Sequence, residues 1–229
     1  MTFRTIALAA TFALAAIAAN AEIIEVEVPD STERVLFDLP AGWSKVFTDE
    51  KNSGGVRTII HEYVPDGQTE MKWDEMITVL LVRPVEAPDE EHHFNTAKVM
   101  TMKFYSDLCI ARPERMMVPK ETRNGFPTAL FFMYCVVRPE AKAARPGLVR
   151  NLESLIGVSM TGRNGWSYQV QRAWHTDELE DDGKAGLKGS PAKRAELEAA
   201  QDAMVRFAQK QVVACDTADP AKPCTLPAQ

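Results

Sequence analysis

The strongest constraint on the fold is the almost wholly apolar segment Met76–Val82, which reads MITVLLV. A strand of this composition is covered on both faces or lies in the middle of a sheet, and the segment is too short to cross a membrane. The preceding residues Val56–Val64 are rich in β-branched and aromatic side chains, which favour a second strand. Pro65–Gln68 has the composition of a turn. We therefore predict two neighbouring strands inside a sheet, with Trp73 closing one end of the core.

Strand patterns also occur on both sides of this pair. The dipeptide Asn124-Gly125 is typical of a hairpin turn, and Gly162–Gly165 separates two strand patterns that form a second hairpin. The chain is therefore rich in strands that are joined by short turns. The further strand predictions are Glu22–Val28, Arg34–Leu39, Trp43–Thr48, Arg115–Glu121, Phe126–Val137, Leu152–Thr161 and Trp166–Trp174.

Two amphipathic helices accompany the strands. The first is predicted over Glu90–Ile110, where apolar residues recur at helical spacing after an aspartate suited to N-capping. The second begins at Ser190–Pro191, a capping residue followed by the proline that is favoured at the first helical position. Its apolar periodicity continues to Val212, so we expect it to end near Cys215. The charged residues Thr176–Gly189 are predicted to form a solvated linker.

The first 21 residues have the pattern of a secretory signal peptide. Arg4 supplies the positive charge, Ile6–Ala19 is apolar, and Ala19–Ala21 is a cleavage site of the small-x-small type. The alternative is an uncleaved N-terminal anchor helix. Cleavage removes 21 of 229 residues, and the remainder suits one globular domain over residues 22–214 with a tail over residues 215–229. Two small domains are the alternative.

Four cysteines lie beyond the predicted signal peptide. An even number in an oxidising compartment favours two disulfides. We predict Cys215–Cys224, because the intervening DTADPAKP is a short proline-rich loop, and this leaves Cys109–Cys135 to join a helix end to a strand. The alternative is a zinc site, but the cysteines lack CxxC spacing and have no histidine nearby in the sequence. The expected location is the periplasm or the extracellular space.

The charge of the chain excludes some partners. Loss of residues 1–21 removes one arginine and no acidic residue, so the net charge changes from −6 to −7. An acidic protein has no general attraction for phosphate backbones, and we therefore expect no nucleic-acid partner.

No second apolar run approaches the length of a membrane helix, so the mature chain is not expected to span a membrane.

Candidate catalytic and metal-binding groups are few. The acidic and histidine cluster Asp89–His93 invites a metal hypothesis, but neighbouring residues of a helix point in different directions, and a solvated helix start is the favoured interpretation. His61 and His175 are candidate general bases, although no nucleophile motif, dinucleotide fingerprint or phosphate loop accompanies them. Asp74 and Glu75 are the nearest candidates for a hydrolytic carboxylate pair, and two exposed acids at a strand entry are the alternative.

Four aromatic residues are candidate binding residues, and three of them, Trp166, Tyr168 and Trp174, could form a face for a sugar or a peptide. A stripe of this kind is also typical of a protein core, and that interpretation stays open. The four residues are Trp73, Trp166, Tyr168 and Trp174.

The order of these segments resembles that of the Mog1/PsbP-like proteins. The resemblance depends on Tyr63–Pro65, Gly67–Thr69, Trp73 and Met76–Thr78, and the chain looks like an exported bacterial branch of that group. It implies an α+β fold, an α/β/α sandwich with a mainly antiparallel twisted sheet and helices packed on its faces. It also implies binding to protein partners rather than catalysis, and no catalytic residue carries over.

The leading hypothesis is an exported, non-enzymatic binding protein of the cell envelope whose partner is another envelope protein. No cofactor is expected. The alternatives are a hydrolase of an envelope polymer, which would use the acid pair, and a carrier of a small ligand or a metal.

Overall fold

A computed structural model describes residues 22–84, 109, 114–117, 121–144, 150–181 and 187–226. Within these residues the strands form an eight-stranded, a three-stranded and a two-stranded sheet, and every strand pairing is antiparallel. The α+β class and the mainly antiparallel sheet predicted from the sequence are therefore confirmed.

In chain order the elements are β1 (Glu22–Glu27), β2 (Glu33–Leu39), β3 (Trp43–Ser53), β4 (Val56–Pro65), β5 (Glu75–Pro84), β6 (Glu114–Met117), β7 (Glu121–Arg123), β8 (Phe126–Val136), α1 (Pro139–Ala144), β9 (Leu152–Thr161), β10 (Ser167–Thr176), β11 (Glu180–Asp181), β12 (Leu187–Lys188), α2 (Pro191–Lys210) and β13 (Val212–Asp216).

The large sheet has the strand order β3-β4-β5-β10-β9-β8-β6, and β7 also pairs with β8. Its middle strands are covered on both faces, because all ten residues of β9 are buried. The apolar strand β5 lies between β4 and β10, where a strand without a polar face is expected. The prediction that Met76–Val82 forms a strand in the middle of a sheet is therefore confirmed.

The main core fills the space between one face of the large sheet and a second layer. That layer consists of α2 and the three-stranded sheet, whose order is β1-β2-β13. Phe37 of β2 lies at its centre, with its ring centroid 5.3 Å from Tyr63 and 6.4 Å from Phe207. Edge-to-face packing of this kind adds to the free energy gained from burial alone.

A second apolar cluster lies on the other face of the large sheet. It contains Trp73, Met76 and Leu155 together with the disulfide Cys109–Cys135, whose two cysteines are each 1% exposed. The predicted pairing of these cysteines is confirmed. The helix predicted over Glu90–Ile110 lies outside the described residues, apart from Cys109.

The second disulfide, Cys215–Cys224, is also as predicted. It joins β13 to the C-terminal tail, which packs on the outer face of the three-stranded sheet. There Cys224 and Leu226 contact a small cluster formed by Leu36, Val213 and Cys215.

One buried carboxylate links the small sheet to the large one. Glu33 of β2 is 1% exposed, and it accepts hydrogen bonds from the hydroxyl of Tyr168 and from the backbone N–H of Arg163 at 2.8 Å. Burial raises the pKa of Tyr168 far above its ordinary value, and the hydrogen bond to Glu33 makes a smaller contribution in the same direction. Gly162 is required beside them, because a Cβ at that position would lie 2.7 Å from Glu33 Oε2.

The turn and cap predictions are confirmed by local geometry. Asn124 and Gly125 have φ of 49° and 84°, the left-handed values that a two-residue hairpin turn needs. The N–H of Gln68 donates to the carbonyl of Pro65 at 3.0 Å, which closes the predicted turn. Ser190 Oγ accepts from the N–H of Lys193 at 3.1 Å, so it caps α2 as expected.

Two predictions for the last part of the chain are wrong. The second helix ends at Lys210 rather than near Cys215, because Val212–Asp216 pairs with β2 as a strand. The predicted linker Thr176–Gly189 is not simply solvated: Thr176 ends β10, and Leu179 is fully buried. The described part of that segment also contains the pairing of β11 with β12.

We expect Tyr168→Phe to lower the free energy of unfolding by about 1–3 kcal/mol, because Glu33 loses a hydrogen-bond donor in a buried place. Urea denaturation of Tyr168→Phe, Glu33→Gln and the double variant measures this effect. The two changes should be coupled by about 0.5–3 kcal/mol. Strict additivity would contradict the importance of this hydrogen bond.

Candidate functional site

Several candidates that are separated in the sequence meet at one end of the large sheet. Strands β5 and β10 are antiparallel neighbours, and Trp174 lies opposite Glu75. The start of β5 therefore lies beside the end of β10, which places Trp73 and Asp74 against His175. We call this region the loop end and define it by residues 65–75, 142, 150–151 and 173–178.

Trp73 and His175 form the centre of the loop end. Their rings stack with centroids 3.7 Å apart and planes 13° from parallel. His175 Nε2 donates to the carbonyl of Trp73, and the backbone N–H of His175 donates to the carbonyl of Asp74 at 3.0 Å. The exposed fractions of Trp73 and His175 are 6% and 1%. The loop before β5 is thus held to the end of β10 by stacking and by two hydrogen bonds.

Burial determines the protonation of His175. It lowers the pKa of the imidazole to about 4, so the ring is neutral at pH 7. With the proton on Nε2, the Nδ1 atom has no hydrogen-bond partner within the described part of the chain. A general base needs a group to deprotonate within reach, and no serine or cysteine bonds to this ring among the described residues. The burial of His175, its stacking on Trp73 and its two hydrogen bonds support a structural role.

His61, the other candidate base, lies on β4 away from the loop end. Its Nδ1 atom is 3.0 Å from Thr48 Oγ1 of the edge strand β3. Partial burial, with a smaller effect from Lys45, lowers the pKa of His61. The structure does not bring the two histidines together in one site.

An ion network extends the loop end toward α1. Asp177 accepts hydrogen bonds from Arg150 at 2.9 Å and from the N–H of Asn151 at 3.2 Å, and Lys142 Nζ lies 2.7 Å from the same carboxylate. Burial raises the pKa of Asp177, but the hydrogen bonds from Lys142 and Arg150 outweigh it and lower the pKa overall. No sequence motif indicated this network, because its members come from three separate segments.

The acid pair does not have the geometry of a hydrolytic site. Asp74 Oδ1 lies 3.7 Å from Arg150, whereas Glu75 Oε2 accepts a hydrogen bond from Arg172 at 2.8 Å. Glu75 is the first residue of a strand, in which successive side chains point to opposite faces. The two carboxylates are therefore engaged with different arginines, which supports the interpretation of acids at a strand entry.

The four candidate aromatic residues are all buried. Their exposed fractions are 6% for Trp73, 0% for Trp166 and Tyr168, and 7% for Trp174. Trp166 is also covered by the guanidinium groups of Arg57 and Arg83, which lie 5.5 and 5.8 Å from its ring centroid. This burial agrees with the core interpretation of the stripe. A binding role for the four residues stays a prediction.

The described residues contain no group of three side chains suited to hold a metal ion. The cluster Asp89–His93 lies outside them. No helix among the described residues is long and apolar enough to cross a membrane.

One exposed apolar side chain of the loop end carried no signal in the sequence. Met71 lies at the tip of a tight turn and is 55% exposed. Thr69 and Lys72 exchange two backbone hydrogen bonds of 3.0 Å across this turn, and Gln68 Oε1 accepts from the N–H of Asp74 at 2.8 Å. The turn is therefore pre-formed, and it presents an apolar side chain to solvent between charged neighbours.

The described residues thus define a mainly antiparallel α+β protein with an ordered loop end. No family model matches the sequence, and no curated protein is similar to it. Among solved structures, the chain is similar to the Ran-binding protein Mog1p of Saccharomyces cerevisiae, with a TM-score of 0.42 and 16% identity over 82% of this chain and 95% of that one. A mutant of the protein Mog1 is similar with a TM-score of 0.41 and 13% identity over 86% of this chain and 98% of that one. At this level of similarity neither a partner nor a site is transferred to this chain.

We expect acid to destabilise the protein through His175. Unfolded His175 takes up a proton near its ordinary pKa of 6.5, whereas the folded residue does so only near pH 4. As the pH falls through this interval, the unfolded state binds more protons, so the free energy of unfolding drops by about 3 kcal/mol. Urea denaturation at pH 7, 5.5 and 4 measures the loss.

The control for this prediction is His175→Gln, which does not titrate and keeps an N–H donor. Its stability should fall less between pH 7 and pH 4 than that of the unchanged protein, and His61→Gln should have a smaller effect. An identical pH dependence for His175→Gln and the unchanged protein would contradict the assignment.

Proposed function

We propose that this chain is an exported protein of the cell envelope that acts by binding another protein through the loop end. Export is supported by the signal-like pattern of residues 1–21 and by the pairing of all four cysteines. Disulfides form and persist in oxidising compartments, which include the periplasm and the extracellular space.

The observation that supports binding through this surface is the presentation of Met71. An exposed apolar side chain on a pre-formed turn binds a partner with little loss of conformational entropy. Charged residues surround it, which fits the apolar centre and polar rim of protein interfaces. The turn is also anchored, because Trp73 next to it is buried against His175.

The alternatives have less support within the described residues. A hydrolase needs two carboxylates that face a common substrate, whereas Asp74 and Glu75 contact different arginines. A metal carrier needs several converging ligands, and no such group occurs in the part of the chain that the structure describes.

We expect Met71→Glu to weaken binding to the partner by about 30-fold, because loss of an interface hot spot costs about 2 kcal/mol. The partner is first identified by site-specific photo-crosslinking from position 71 in intact cells, and is then purified for titration calorimetry. The matched control is Val205→Glu, since Val205 is an exposed apolar residue of α2 with 37% exposure.

Equal affinity of Met71→Glu and the unchanged protein, or equal crosslinking from positions 71 and 205, would contradict binding through the loop end. Crosslinking at neither position would contradict a stable protein partner.

We expect the mature protein to begin at Glu22, because cleavage follows the small residue Ala21. N-terminal sequencing of the protein from a fractionated culture tests this, and alkylation without reductant should label none of the four cysteines. A cytoplasmic protein that retains residues 1–21 would contradict export.

A further inference from the structure

The two disulfides differ in how far they are exposed. Cys109 and Cys135 are both 1% exposed and belong to a large apolar cluster. Cys215 is also buried, but its partner Cys224 is only half-buried and lies in the C-terminal tail. A thiolate attacks a disulfide along its S–S axis and must reach one sulfur atom, so the bridge that contains the half-buried Cys224 is the more accessible of the two.

The tail depends on this second bridge for its position. We call residues 217–226 the strap. Its first residue is anchored, because the N–H and the hydroxyl of Thr217 both donate to the carbonyl of Thr32 at 2.9 Å. Beyond this point, Asp219 is 3.9 Å from the exposed guanidinium of Arg163, and exposed ion pairs of this kind contribute little. Within the part of the chain that the structure describes, the other backbone hydrogen bonds of the strap are made within it or to Asp216, the residue that precedes it.

The strap covers an apolar strip on the outer face of the three-stranded sheet. Leu36 and Val213 form the strip, lie opposite each other in the strand register, and are 3% and 4% exposed. The strap residues that pack on them are Cys224 and Leu226. The strip is the outer side of strands whose inner side belongs to the main core, so the sheet remains supported when the strap is absent.

We propose that the Cys215–Cys224 disulfide is a redox-sensitive latch, and that its reduction releases the strap and uncovers the Leu36–Val213 strip. The reductant is a dithiol, such as the active-site pair of a disulfide oxidoreductase. One thiolate attacks Cys224 Sγ and forms a mixed disulfide, and Cys215 leaves as a thiolate that takes up a proton. The second thiolate of the reductant then attacks the mixed disulfide, releases Cys224 as a thiol and leaves the reductant oxidised.

Opening of the latch changes one face and leaves the rest of the fold in place. Val35 and Phe37 alternate with Leu36 along β2 and stay in the main core, and Cys109–Cys135 remains closed on the far side of the large sheet. Glu25 of β1 lies opposite Leu36, and Ile23, two residues before Glu25 on the same face, is 56% exposed. Reduction therefore produces a larger exposed apolar surface on a folded protein.

The latch is tested with dithiothreitol as the dithiol. The folded protein is incubated with increasing concentrations, quenched by alkylation and analysed by peptide mass mapping. Cys215 and Cys224 should be alkylated at a concentration about tenfold lower than Cys109 and Cys135. Hydrogen exchange is measured on the same samples, and it should increase in the strap once the second bridge is open, while the paired amides of β2 stay protected.

Matched variants separate release of the strap from general unfolding. Cys215→Ser with Cys224→Ser should show the increased exchange without reductant and keep a native circular dichroism spectrum. Leu226→Ser retains the bridge and should show only a small increase. Simultaneous reduction of both bridges would overturn the proposal, as would an open second bridge with unchanged exchange in the strap. If the double variant unfolds, the latch is also excluded, since the bridge is then essential to the fold.

Discussion

The middle strands of the large sheet are buried on both faces, and the rest of the structure depends on this constraint. All ten residues of β9 are buried, so both faces of this central strand are shielded from solvent. One face is covered by α2 and the three-stranded sheet, and the other carries the cluster around Cys109–Cys135. A sheet of this kind cannot be stable alone, because half of its apolar area would remain exposed without the second layer.

The links between the layers are polar as well as apolar. Glu33 reaches from the small sheet to Tyr168 and to the backbone of Arg163. Apolar packing between layers has little directionality, whereas these hydrogen bonds fix which part of β2 lies against the β9–β10 hairpin. The buried carboxylate thus sets the relative position of the two sheets.

The loop end is a consequence of the same sheet. Antiparallel pairing of β5 with β10 places the loop before β5 beside the residues that follow β10. This pairing stacks Trp73 on His175, and the turn that carries Met71 is ordered next to them. An ordered turn on a rigid sheet is well suited to recognition, since the scaffold already holds the turn in place and little conformational entropy is lost on binding.

The sequence by itself determined most of the strands, the predicted turns and the disulfides. Apolar runs such as Met76–Val82, the Asn124-Gly125 turn and the short loop between Cys215 and Cys224 each carry a local physical signal. Tertiary structure decided the rest. The helical periodicity extends to Val212, but Val212–Asp216 forms a strand because its backbone pairs with β2. The loop-end network and the burial of the aromatic stripe depend on residues distant in sequence, and a local pattern holds no information about which segments meet.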